Sequence, residues 1–185
     1  MSTSTATAPA THVRSPLSRL YFARFAFAIV WAGLLFTTAS TLGPLGITLL
    51  VLYPLFDVAA AITDARTSTG TRPVRLLYAN IAISLLAAAG LVVATSSGIP
   101  DVLRVWGGWA IVSGLVQLGV AITRRTQGGQ WPMIASGAIS AVAGTAFILQ
   151  AGAAEPSLTN LAGYAALGGI FFLVSALRQG RTTES

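Results

Sequence analysis

The chain has no cysteine and no lysine, a single histidine (His12), and five acidic side chains. Without cysteine there can be no disulfide and no thiolate metal site. One histidine without a second ligand beside it gives no metal set, so no metal is expected. No nucleophile stands near a base in sequence and no carboxylates cluster, so neither enzymatic activity nor a cofactor is expected. Only 9% of residues are charged, whereas soluble domains carry about 25%. That is too little polar surface to cover a water-facing globule.

What is present is apolar. Hydrophobic residues make up 54% of the chain and the mean hydropathy is +0.75. The net charge of +6 comes from eleven basic residues, all arginine. They sit in short breaks between apolar runs rather than along a polar face, which argues against a nucleic-acid partner. Abundant alanine together with arginine-only basic residues fits a GC-rich bacterial genome.

A bilayer core about 30 Å thick needs roughly 20 helical residues. Six stretches meet that length: 18–39, 45–63, 74–95, 102–123, 132–151 and 159–177. The breaks carry turn-forming residues, such as TLGP, SSGIPD and RRTQGGQW. The expected fold class is therefore all-α: a polytopic integral membrane protein with six transmembrane helices arranged as three helical hairpins, about 18–66, 74–125 and 131–178. Residues 1–17, a Ser/Thr/Ala/Pro tract, read as a disordered tail, and 179–185 as a short second tail. The first apolar run with its basic flank also fits a secretory signal, a lesser reading because its removal would destroy the first hairpin.

Positive loops stay cytoplasmic. All the arginines except Arg104 fall on one side of a six-helix path, so both termini are expected to be cytoplasmic in a bacterial plasma (inner) membrane. The expected partner is the lipid bilayer, with a homo-oligomer or a larger membrane assembly left open. On this topology Trp106 and Trp109 are expected as interfacial anchors at the outer face and Trp131 at the inner one. Trp31 falls near the bilayer centre and reads as a packing residue.

The hairpins echo one another. Aligning Ala61-Ile62-Thr63 on Ala121-Ile122-Thr123, and Arg124 on Arg178, superposes Pro54, Gly114 and Gly168, which read as helix-packing positions. Ala82-Ile83-Ser84 likewise matches Ala138-Ile139-Ser140. Each copy would begin and end on the same side, so the copies would be related by rotation about the membrane normal.

The stretches GGWAIVSGLVQLGVAITRR (107–125), SGAISAVAGTAFIL (136–149) and AGYAALGGIFFLVSALR (162–178) resemble the HdeD-like acid-resistance membrane proteins, a family built from a short repeated domain. The likeness covers roughly 74–178, and the first hairpin fits less well because Pro54 stands where the others have glycine. The resemblance implies a six-helix inner-membrane protein associated with acid stress, with no catalytic residue to carry over.

Asp57 is the most informative single residue. It lies about 10 Å inside the cytoplasmic end of the second helix, at 1.5 Å per residue. A carboxylate there must be paired, hydrated or protonated. Arg24, Asn80 and Gln117 share its depth, and an intramembrane polar belt is expected with Asp57 paired to Arg24. The belt either fixes helix packing or, in the alternative, gives a small proton or solute transporter or channel its site at Asp57. Pro54 is expected to bend the second helix and free a carbonyl one turn before Asp57.

Overall fold

The computed structural model describes residues 16–67, 74–123 and 131–181. These form six α-helices: α1 (Pro16–Thr37), α2 (Pro44–Thr67), α3 (Val74–Ala94), α4 (Ile99–Thr123), α5 (Trp131–Gln150) and α6 (Thr159–Arg181). The first fifteen residues, with His12 and Arg14, lie outside the described residues, as do the loops carrying Arg72, Arg124 and Arg125 and the last residues after Arg181. Helix α1 starts at Pro16 and α6 runs to Arg181, so each helix takes in part of an expected tail.

The helix starts follow from the sequence. Proline stands in the first turn of α1, α2, α4 and α5, where its missing amide costs nothing and its φ already suits a helix. Gly98, with φ of 105°, makes the left-handed turn into α4. At α6 the Ser157 hydroxyl accepts the Thr159 amide at 3.2 Å.

Four helices are long and apolar enough to cross a bilayer, over Ser18–Thr37, Pro44–Thr63, Ile99–Gly119 and Thr159–Leu177. In α3 and α5 the apolar stretches, Tyr78–Ala94 and Ile134–Gln150, are shorter. Much of the described surface is apolar: Phe36, Leu86, Val93, Val142 and Leu149 all project outward, an expanse that suits lipid and not water. Outward-facing threonines turn back on their own helices, Thr48 to the Pro44 carbonyl, Thr63 to Ala59 and Thr145 to Ala141. A hydroxyl satisfied in this way can face hydrocarbon.

Each helix packs on its two chain neighbours, and α6 closes on α1 to complete a ring. Extensive and sparse seams alternate around it. The extensive seams are α6–α1, α2–α3 and α4–α5; the sparse ones are α1–α2, α3–α4 and α5–α6. The extensive seams thus join one expected hairpin to the next. The α4–α5 seam is the closest: a Cβ on Gly107 would lie 2.5 Å from the Gly144 carbonyl oxygen, and one on Gly114 2.7 Å from that of Gly137. The heptad spacing of these glycines on both helices keeps them on one antiparallel seam. At α6–α1 the close contact is Gly169 against Ala28.

Every sparse seam is clipped by one aromatic hydrogen bond. Trp31 Nε1 donates to the Leu49 carbonyl at 2.6 Å between α1 and α2. Trp109 Nε1 donates to Ser84 Oγ at 3.2 Å between α3 and α4. The Ser140 and Tyr164 hydroxyls bond at 2.7 Å between α5 and α6. Pro54 cannot donate to the Leu50 carbonyl, which follows directly on the Leu49 carbonyl that receives Trp31. Helix α2 continues through Pro54.

The principal core fills the half of the ring away from the N-terminal end of α1, with Leu35, Leu50, Leu91, Leu103, Leu158 and Leu161 fully buried. The α5–α6 connection is tied there by the Leu158 amide donating to the Ala39 carbonyl at 3.0 Å.

The α4–α5 seam yields a stability prediction. Gly114→Val places side-chain atoms against backbone, and should cost about 1–3 kcal/mol or more, as overpacking does. Gly33 meets nothing within 4 Å, so Gly33→Ala should instead gain about 0.5–1 kcal/mol from helix propensity. Denaturant titration in detergent followed by helical circular dichroism measures both.

Candidate intramembrane polar site

The polar side chains gather at the level of α2 where Asp57 stands. Asp57 Oδ1 pairs with Arg24 Nη2 from α1. Its Oδ2 accepts Asn80 Nδ2 at 2.8 Å and Ser84 Oγ at 2.9 Å, both from α3. Ser84 in turn accepts Trp109 Nε1 from α4. On its other side the Arg24 guanidinium lies 4.6 Å from the centroid of the Phe172 ring on α6. One carboxylate and its direct partners therefore join three helices, and the contacts of those partners bring in two more.

The arrangement is electrically self-contained. A lone carboxylate in a medium of low dielectric is costly, and the cost is recovered only when a counter-charge and hydrogen bonds meet its lone pairs. Asp57 has one cation and two neutral donors on its two oxygens, so the pair carries no net charge. The Asp57 and Arg24 side chains retain 15% and 18% exposure. They are held, yet not sealed on every side.

Towards the main core the belt meets a plug of aromatic rings. Phe27 stacks on Phe56 at 3.8 Å, and Trp31 meets Tyr53 edge-on at 4.6 Å. Trp106 lies 5.5 Å from Trp31, 5.4 Å from Tyr53 and 4.9 Å from Trp109. Such tilted pairs fill space as well as aliphatic side chains and add quadrupole attraction.

Of the expected belt, the structure brings together Arg24, Asp57 and Asn80. Gln117 lies about two turns beyond Trp109 on α4, half-buried, and supplies none of the described bonds to Asp57. Ser84 and Trp109 are members that sequence reading did not include. Ser84 follows Asn80 by four positions, the spacing that puts two side chains on one helical face, and that signal was there to use.

Three expected roles need correction. Trp106 is 0% exposed: it is a core residue at the ring's centre and not an interfacial anchor. Trp109 points inward as well, into the belt. Position along a helix gives depth, whereas direction around the axis depends on neighbours, and both rings face the interior. Gly168 is not a close-approach position, since a Cβ there meets nothing within 4 Å; the contact belongs to Gly169. Gly114 does sit at a close approach. Trp131, the first residue of α5, is 78% exposed.

Among the described residues no group of three or more His, Asp or Glu could hold a metal. No protein-family model, no curated protein and no solved structure matches this chain.

Removing one member of the pair leaves the other uncompensated. Asp57→Leu should cost about 3 kcal/mol or more, the range for one-sided loss of a buried pair. The double variant Arg24→Leu/Asp57→Leu should recover a large part of that loss. Unfolding titrations of the two single variants and the double variant form the cycle that measures it.

Proposed function

We propose that this chain is a six-span protein of a bacterial inner membrane with its arginine-rich end in the cytoplasm, acting as a closed, non-enzymatic structural element associated with acid stress. The observation that carries the closed reading is the filling of the ring's far half. Trp31, Leu35, Leu50, Leu103, Trp106 and Leu161 are all buried there, and among the described residues the polar groups past the aromatic plug, such as Trp106 Nε1 and the Tyr164 hydroxyl, stand singly among apolar side chains. A conduit needs hydrogen-bonding groups along its length, and this half offers isolated ones. The acid-stress association follows from the resemblance to HdeD-like proteins and rests on the residues quoted for it.

The anchoring of the carboxylate supports the same reading. Asp57 accepts from three donors on its two oxygens, each carried by a packed helix, which suits a fixed structural tie. The residual exposure of Asp57 and Arg24 favours the second reading, a small transporter or channel with its site at Asp57. The two readings separate on flux. In liposomes containing a pH dye, an external acid step should give no proton entry above that of empty vesicles, for wild type and Asp57→Asn alike. Flux in wild type that vanishes in Asp57→Asn would replace the structural reading with the transporter.

Because the native chain has no cysteine, topology can be read from single-cysteine variants without prior mutation. Ser40→Cys and Ala154→Cys, exposed in connections at the far end, should react with a membrane-impermeant maleimide in intact spheroplasts. Ser4→Cys and Ser185→Cys should react only after permeabilisation. The reverse pattern would overturn the orientation.

A further inference from the structure

The three aromatic clips differ in their accounting of protons. An indole has one N–H and nothing to accept with, so Trp31 is fully used by the Leu49 carbonyl. At the second clip Trp109 gives its proton to Ser84, and Ser84 gives its own to Asp57. That chain ends on a carboxylate with every proton placed. The third clip joins two hydroxyls, Ser140 and Tyr164. Each hydroxyl has one O–H and two lone pairs, so a single bond between them uses one proton and leaves the other without an acceptor. No other hydrogen bond of either hydroxyl is described, and Ser140 is only 8% exposed. Buried hydroxyl protons are seldom left unbonded.

The same clip borders a void. A partly open cavity of about 30 Å³ lies at the α5–α6 seam, lined by Ser136, Ser140 and Tyr164 on its polar side and by Ile139, Leu167, Gly168 and Phe171 elsewhere. A site needs about 10–15 Å³ of such volume and two to four polar partners to hold a water. This one has the room for one or two and offers three hydroxyls. No charged side chain lines it, so an ion would enter without compensation and is excluded. The seam itself is the sparsest of the six; apart from this clip its other described side-chain hydrogen bond is Asn160 to Gln150 at the far end.

We propose that the α5–α6 cavity is a binding site for a single small neutral hydroxylic molecule, water in the resting protein, which takes the spare proton of the Ser140–Tyr164 pair and is held also by Ser136. The site makes α5–α6 the hydrated seam of the ring, in contrast to α1–α2 and α3–α4, whose clips are complete without a ligand. The proposal does not depend on the structural or transporter reading above.

Radiolytic hydroxyl-radical footprinting tests it, because a bound water ionised in place oxidises the side chain it touches without radical diffusion through the protein. The full-length protein in nanodiscs is exposed to a synchrotron pulse, and oxidation at Tyr164 is read by mass spectrometry. Tyr164 should be oxidised in wild type. Gly168→Leu should fill the cavity, since a Cβ there meets open space, and reduce Tyr164 oxidation several-fold. Ser136→Ala, which removes one polar partner and adds no bulk, should reduce it as well and decides the matter if Gly168→Leu loses its helical circular dichroism. Absence of Tyr164 oxidation in wild type, or rates unchanged in the folded variants, overturns the proposal.

Discussion

The constraint on which the rest depends is the neutralisation of one carboxylate. Asp57 stands well inside an apolar helix ring, where water cannot be relied on to solvate it. Its two oxygens are met by Arg24, Asn80 and Ser84, and each partner comes from a helix whose placement is thereby fixed relative to α2. Trp109 and Phe172 add α4 and α6 at second remove. Apolar side chains pack against one another in many rotations. A carboxylate with named donors accepts few, and it converts a bundle of interchangeable greasy cylinders into one arrangement.

The seams show a division of labour. At α6–α1 and α4–α5 the helices approach through glycine, and at α2–α3 Asn80 and Ser84 reach Asp57; there contact is extensive. At each sparse seam an aromatic side chain crosses the gap with one hydrogen bond, joined at α1–α2 by the Arg24–Asp57 pair and at α5–α6 by Asn160 and Gln150. In lipid there is no hydrophobic force between helices, since the tails are as apolar as the side chains. Close backbone approach and individual hydrogen bonds are the means left, and the ring uses them in alternation.

Much of this was legible in the sequence. Six apolar runs gave six helices, four of them long and apolar enough to cross a bilayer, with boundaries displaced by a few residues where proline or arginine allowed the helix to extend. Equal depth gave the Arg24, Asp57 and Asn80 grouping, because the rise per residue is fixed and depth can be counted. Azimuth cannot be counted in the same way. When every face of a helix is apolar, periodicity does not tell inward from outward, so Trp106 and Trp109 read as surface anchors although they fill the interior, and Gly168 read as a contact that belongs to Gly169. The hairpins were visible from the turns, but their sparse internal seams were not: chain adjacency says which helices are neighbours and nothing about how closely they meet.

The paired glycines of α4 and α5 act as a length gauge. Gly107 faces Gly144 and Gly114 faces Gly137, so the two helices read each other's register at two points one heptad apart. A residue gained or lost between Gly107 and Gly114 would turn everything beyond it by about 100° and bring a side chain to a place with room only for hydrogen. The two helices are therefore bound to change length together, in whole heptads or not at all, while the outward faces stay free to vary in sequence as long as they remain apolar.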